Sequence, residues 1–195
     1  MASLPQRTSA YTLKPTEVKA LIFNCQNLRE RIIIRLMAHC GMRREEVASI
    51  RAEKIDWTRN RISFVGKGRL PGVVPMPPDL LQDIKFFLTG RDSGWVFPAK
   101  KRMDHITLVQ VNRIVTEVGK RAAIKNPNPK SKTGNIHPHL LRHTFARLCK
   151  DAGCSIETTQ GLMRHASFKT TYDMYGTQDF EAVQEQYERN VLTRL

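Results

Sequence analysis

Between Lys54 and Met76 the chain changes its hydrophobic period, and that break decides which fold classes remain open. Before and after it, apolar residues recur at helical spacing, as in Leu28, Ile32, Leu36 and Cys40. Within it, KIDWT, RISFVGKG and GVVPM are short β-branched or aromatic runs split by Arg59-Asn60 and by Gly66, Gly68 and Gly72. Such runs predict three antiparallel strands joined by tight turns. A 195-residue chain that is otherwise helical can carry so small a sheet only as a layer against its helices. The fold class expected is α+β, mostly helical.

The helical segments follow in order. LKPTEVKALIFNCQ starts at Leu13, with Thr12 as cap, Pro15 in the first turn and Val18, Leu21 and Ile22 on one face. NLRERIIIRLMAHC is ended by Gly41, and MRREEVASI turns Val47 and Ile50 inward. Beyond the sheet come PDLLQDIKFFLTG, ITLVQVNRIVTEVGKRAAI, HPHLLRHTFARLCKDAG, SIETTQGLMRH and KTTYDMYG, with a last helix near 180–193. Residues 1–10 read as a flexible leader and 125–136 as a loop.

Charge narrows the partner. The chain holds 32 Lys and Arg against 18 Asp and Glu, a net +14. A surface of that sign attracts polyanions, nucleic acid above all, although a merely solvated surface has the same sum. The excess is uneven: residues 154–195 hold four basic and six acidic side chains, so all of it lies in residues 1–153. The acidic end, with Glu181, Glu185 and Glu188, is expected to meet protein rather than phosphate. Cys25, Cys40, Cys149 and Cys154 lack metal or redox spacing, which predicts free thiols in a reducing compartment. No apolar run approaches a membrane span and the first residues lack a signal-peptide core, so a soluble cytoplasmic protein is expected.

Cutting a DNA strand without a metal needs a nucleophile for phosphorus, cations for the five-coordinate transition state, and an acid for the leaving 5′ oxygen. Arginine suits the second task, because its planar fork donates two hydrogen bonds to phosphate and stays charged. Tyrosine suits the first, since its phosphodiester keeps the bond energy for religation.

GMRREEV, FVGKGRLPGVVPM, HPHLLRHTFA and LMRHASFKTTYDMYG occur in that order between Gly41 and Gly176. They resemble the G-L-R-x-x-E, G-K-G, H-x-L-R-H and L-G-H-x-S-x-x-T-T signatures of tyrosine recombinase (phage integrase) catalytic domains. Each is weak alone; four in order are specific, and the match spans about Leu13 to Gly176. Met163-Arg164 departs from the common Leu-Gly.

The resemblance implies a role for each matching residue. Arg43 and Arg142 would clamp the non-bridging phosphate oxygens. Lys67, between two glycines in the turn joining the second and third strands, would protonate the leaving hydroxyl, with Arg69 a nearby rival. His139 would manage the tyrosine proton, and His165 would donate to a phosphate oxygen. The nucleophile lies among two tyrosines, Tyr172 seven residues after His165 and Tyr175 ten after. Family members place theirs nine or ten after, so the resemblance selects Tyr175 and leaves Tyr172 a core or surface role. It also implies no cofactor, neither ATP nor a divalent metal.

Spacing adds supporting expectations. Glu46 shares a helical face with Arg43 and is placed to orient it through an ion pair. His139 and Arg142 are one turn apart, His137 reads as a helix-entry residue beside Pro138, and His143 as a packing or hydrogen-bonding residue. Three histidines can suggest a metal, but no acidic residue completes a site there. Further DNA contacts are expected from Arg44, Arg69, Lys132, His143 and Lys169.

The expected organisation is a leader at 1–10, a tyrosine recombinase catalytic domain at 11–178 and a C-terminal helix at 179–195. In that helix Phe180, Val183 and Tyr187 form an apolar stripe, to be covered by the chain itself or by a neighbouring protomer. The resemblance implies double-stranded DNA as partner, a homotetramer on two DNA sites, and a short form lacking the family's N-terminal clamping domain. Two other readings stay open. One is a non-catalytic DNA-binding module, with SIETTQGLMRHASFKTTYDMY as a helix-turn-helix presenting His165 or Lys169. The other is a type IB topoisomerase-like relaxase.

Overall fold

A computed structural model describes residues 11–65, 71–99 and 104–164. Seven α-helices occur among the described residues: α1 (Pro15–Phe23), α2 (Leu28–Ala38), α3 (Arg44–Ala48), α4 (Pro78–Leu88), α5 (Leu108–Arg121), α6 (Pro138–Asp151) and α7 (Ile156–Met163). Between α3 and α4 lie a 3-10 turn (Ala52–Lys54) and strands β1 (Ile55–Asp56), β2 (Arg61–Val65) and β3 (Pro71–Pro75). The α+β architecture expected from the sequence is the one observed.

The first helix begins later than predicted. Pro15 fixes its own φ and forces Lys14 into extended backbone, so Lys14 rather than Thr12 takes the cap position. Glu17 at the third helical position accepts the Lys14 backbone N–H at 2.6 Å. Asn27 caps α2, its side chain accepting the Glu30 N–H at 3.0 Å. Every-fourth spacing predicts one buried face for α2, yet every residue from Ile32 to Ala38 is buried. The reason is its central place, with α1, α3, α4, α5 and α6 all packed on it. Even Arg35 is buried there, held by Asp79 at 2.6 Å and Asp83 at 3.0 Å on α4.

The sheet is antiparallel in the order β1-β2-β3. Ile62 opposes Val74, both buried against the helices, and Phe64 opposes Gly72. The β1 pairing is only two residues long, shorter than KIDWT predicts, because Thr58 Oγ1 and the Arg59 N–H turn back onto Asp56. Helix α5 stops at Arg121, three residues short of its predicted end, where Ala123 takes a positive φ of 54°.

His137 caps α6, its Nδ1 accepting the Leu140 N–H at 3.2 Å, as a helix-entry residue should. A smaller apolar cluster of Phe145, Ala146, Cys149 and Met163 joins α6 to α7 beside the main core. The four cysteines are free, with Cys40 and Cys149 buried. No helix of the described residues is long and apolar enough to cross a membrane. The leader at 1–10, the turn at 66–70 and the helices predicted after residue 165 lie outside the described residues.

Candidate active site

The C-terminal end of α2, the start of α3, the middle of α6 and the end of α7 meet at one point. Gly41 permits the meeting. Its φ of +60° reverses the chain after α2, and a Cβ there would lie 2.4 Å from a Phe145 ring carbon on α6. Its carbonyl accepts from Nη1 of Arg142 and from Nη2 of Arg164, so two arginines from distant parts of the sequence share one backbone oxygen.

Glu46 is the anionic centre of the cluster, only 3% exposed. Oε1 accepts from Nη1 of Arg43 at 2.9 Å, the contact that three-residue spacing predicts. Oε2 accepts the Arg43 backbone N–H at 2.7 Å and Nη2 of Arg164 at 2.7 Å. Burial alone pushes the carboxyl up, but Arg164, the two bonds from Arg43 and nearby Arg142 outweigh it and hold it below the ordinary glutamate range.

Arg142 is buried on α6, with Nη1 on the Gly41 carbonyl and Nη2 on the Met163 carbonyl. Burial, then Arg43 and Arg164, push its pKa down to about 9, which leaves it charged at neutral pH. Each terminal nitrogen of a guanidinium carries two hydrogens, so these bonds do not exhaust its donors. Three arginines around one carboxylate leave a net positive pocket suited to a phosphate.

One helical turn before Arg142, His139 is exposed at the edge of the cluster. Its Nε2 lies 2.7 Å from Nε2 of His143, one ring nitrogen donating and the other accepting. The ring planes meet nearly edge to face, with centroids 4.2 Å apart. Surrounding protein, then His137, Arg142 and Arg43, push the His139 pKa below 6.5, so the ring is neutral at physiological pH and able to accept a proton.

The remaining expected residues divide. Arg44 turns away, to Asn112 on α5 at 3.2 Å and Glu45 at 3.2 Å. Lys132 is exposed in the loop before α6. Lys67, Arg69, His165, Lys169, Tyr172 and Tyr175 lie outside the described residues. Arg164 was not among the expected site residues. The available signal was its place directly before His165, where the motif carries glycine. Among the described residues no group of three or more His, Cys, Asp or Glu is placed to hold a metal ion.

The model of the phage integrase family matches residues 11–182. The chain belongs to the phage integrase family. It is 32% identical over 197 residues to tyrosine recombinase XerA of Pyrococcus furiosus, covering 97% of this chain and 65% of that protein. It is 32% identical over 150 residues to tyrosine recombinase XerC of Staphylococcus carnosus, covering 75% of this chain and 48% of that protein. The chain thus spans roughly half to two thirds of the relatives it matches. Its fold is similar to the crystal structure of XerA recombinase, with a TM-score of 0.70 and 24% identity over 92% of this chain and 65% of that one. It is also similar to XerH site-specific recombinase bound to difH substrate, with a TM-score of 0.74 and 17% identity over 96% of this chain and 56% of that one.

Proposed function

We propose that this phage integrase family member is the catalytic unit of a site-specific DNA recombinase that cuts and rejoins strands through a 3′-phosphotyrosyl intermediate. The observation that carries the reading is one pocket holding Arg43 bonded to buried Glu46 and buried Arg142 close enough to act on its charge, with neutral His139 one turn from Arg142 on α6. Residues 11–178 form the catalytic domain.

In this reading Arg43 and Arg142 bind the non-bridging oxygens of the scissile phosphate, assisted by His165. The oxygen of Tyr175 attacks phosphorus, its proton passes to His139, and the bond from phosphorus to the 5′ oxygen breaks. Lys67 protonates that oxygen. Rejoining is the reverse, with a 5′ hydroxyl displacing the tyrosine, so the phosphodiester energy is conserved and neither ATP nor a metal is required. Strand exchange needs two duplexes and therefore a tetramer, which the segment 179–195 is suited to join by docking on a neighbour.

The test uses nicked suicide duplexes whose central 30 or so base pairs are randomised, since the target is not read from the chain. Covalent protein–DNA adducts are captured on a denaturing gel and the trapped strands sequenced. Adducts that vanish in Tyr175→Phe, persist in Tyr172→Phe and enrich one sequence are the expected result. Adducts without enrichment would point to a relaxase. An adduct surviving Tyr175→Phe, or none from the native chain, would overturn the assignment.

A further inference from the structure

Arg164 holds a backbone conformation that arginine rarely adopts. It ends α7 with φ 51° and ψ 45°, in the left-handed region where glycine is the easy residue. A side chain kept there at a conformational cost calls for compensating contacts. The guanidinium is 13% exposed on its side chain and lies in the pocket just described. Nη2 reaches Glu46 Oε2 at 2.7 Å and the Gly41 carbonyl at 3.3 Å, and Nη1 reaches the Leu162 carbonyl at 2.6 Å. Cζ sits 5.1 Å from the centre of the Phe64 ring on β2. The absence of a side chain at Gly72 makes room, since a Cβ there would lie 2.8 Å from the Phe64 ring and 3.3 Å from Cδ of Arg164.

Arg43 and Arg164 share Glu46 unequally. The Arg43 side chain is 30% exposed, and its second terminal nitrogen holds only a long 3.3 Å bond to the Arg164 carbonyl. Arg164 is therefore the fixed partner and Arg43 the one able to turn toward an anion outside the pocket. If Arg43 turned without Arg164 present, Glu46 would be left buried with no side chain bonded to it and only the charge of nearby Arg142, whose own bonds go to backbone carbonyls, which is unfavourable.

Resting on the functional reading above, we propose that Arg164 is a positioning residue that neutralises Glu46 and thereby releases the Arg43 guanidinium to a DNA phosphate. The motif glycine could not do this, so the device belongs to this chain's own Arg164. Arg164 acts through Arg43 and does not itself touch the phosphate.

The test is a double-mutant cycle read by fluorescence anisotropy on one 30-base-pair duplex, titrated across salt. The slope of log affinity against log salt falls by about 0.9 for each phosphate that is no longer neutralised. Arg43→Ala is expected to lower the slope by about one phosphate's share. Arg164→Gly, whose backbone suits the site, should lower it as much and weaken binding about tenfold at low salt. Arg43→Ala combined with Arg164→Gly should lower it by one such share, not two. Adding Glu46→Gln to Arg164→Gly should restore both slope and affinity, because Arg43 no longer has a buried carboxylate to serve.

Additive losses would overturn the proposal by making Arg164 an independent cation, as would native binding by Arg164→Gly. Native binding by Arg43→Ala would sink the functional reading instead. Melting curves establish that each variant folds. If Arg164→Gly does not, Arg164→Lys replaces it, and a smaller but still non-additive loss is then required.

Discussion

Replacing Gly41 with alanine should test both the backbone and the packing that bring the arginines together. At φ +60° an alanine carries a left-handed penalty of about 1–2 kcal/mol. Its Cβ would also lie 2.4 and 2.7 Å from two carbons of the Phe145 ring and 3.2 Å from the sulfur of Met163. That ring is buried in the α6–α7 cluster, so relief requires a shift of rigid parts, typically about 1–3 kcal/mol. Together the loss is about 2–5 kcal/mol, a large share of the ~5–15 kcal/mol that holds an ordinary domain folded. Urea denaturation measures it, with the transition midpoint falling at unchanged slope. The two parts separate in a Phe145→Ala background, where the ring carbons are gone, the flexible Met163 side chain can give way, and only the backbone part, about 1–2 kcal/mol, should remain. A loss under about 1 kcal/mol, or the same loss in both backgrounds, would refute the reasoning.

Three more outcomes are expected. Glu46 titrates below the ordinary glutamate value in the fold, so the stability it gives is complete above about pH 4.3 and lost as pH falls through its folded value. Between about pH 5 and 3, Glu46→Gln should therefore lose stability less steeply than the native chain; parallel denaturation curves would refute this. Burial likewise holds His137 below 6.5, so its contribution is full above that pH and fades as pH falls through the folded value. His137→Asn keeps a cap that does not titrate and should gain on the native chain from pH 8 to 5, whereas His137→Ala should cost about 1 kcal/mol at pH 8. Gly119→Ala should destabilise despite a helix-propensity gain of about 1 kcal/mol, because its Cβ would lie 2.4 Å from Ile136. A net gain in urea midpoint would show that this close approach is wrong.

Element types were readable from the chain because periodicity reports one buried face at a time. The sheet between Lys54 and Met76 and the inward Val47 and Ile50 follow from local pattern. Helix α2 was only half readable. Its polar Arg35 reads as surface, and nothing local announces that Asp79 and Asp83 on α4 will pair with it. The start of α1 was misplaced for a local reason, the extended backbone that Pro15 forces on Lys14, which outweighs the capping preference of Thr12. The early stop of α5 has no sequence signal, since Ala122 and Ala123 are good helix formers.

The site was legible wherever its parts lie within one turn of helix. Arg43 with Glu46, and His139 with Arg142, are such pairs, and in both the spacing predicts a shared face. What spacing does not carry is the joining of those pairs. Gly41 reads as a helix stop, yet its carbonyl is where Arg142 and Arg164 meet, and its missing Cβ is what lets α6 approach. Arg164 was seen only as a departure from glycine. A buried carboxylate bonded to two arginines implies a charge balance, and that balance is set by whichever cation cannot leave. Exposure decides it: Arg164 is enclosed and Arg43 is not. An arginine in a glycine conformation thus makes sense as a fixed counter-charge: its bonds to Glu46 and to the Gly41 and Leu162 carbonyls offset the backbone cost, and its charge leaves the catalytic candidate beside it free to move.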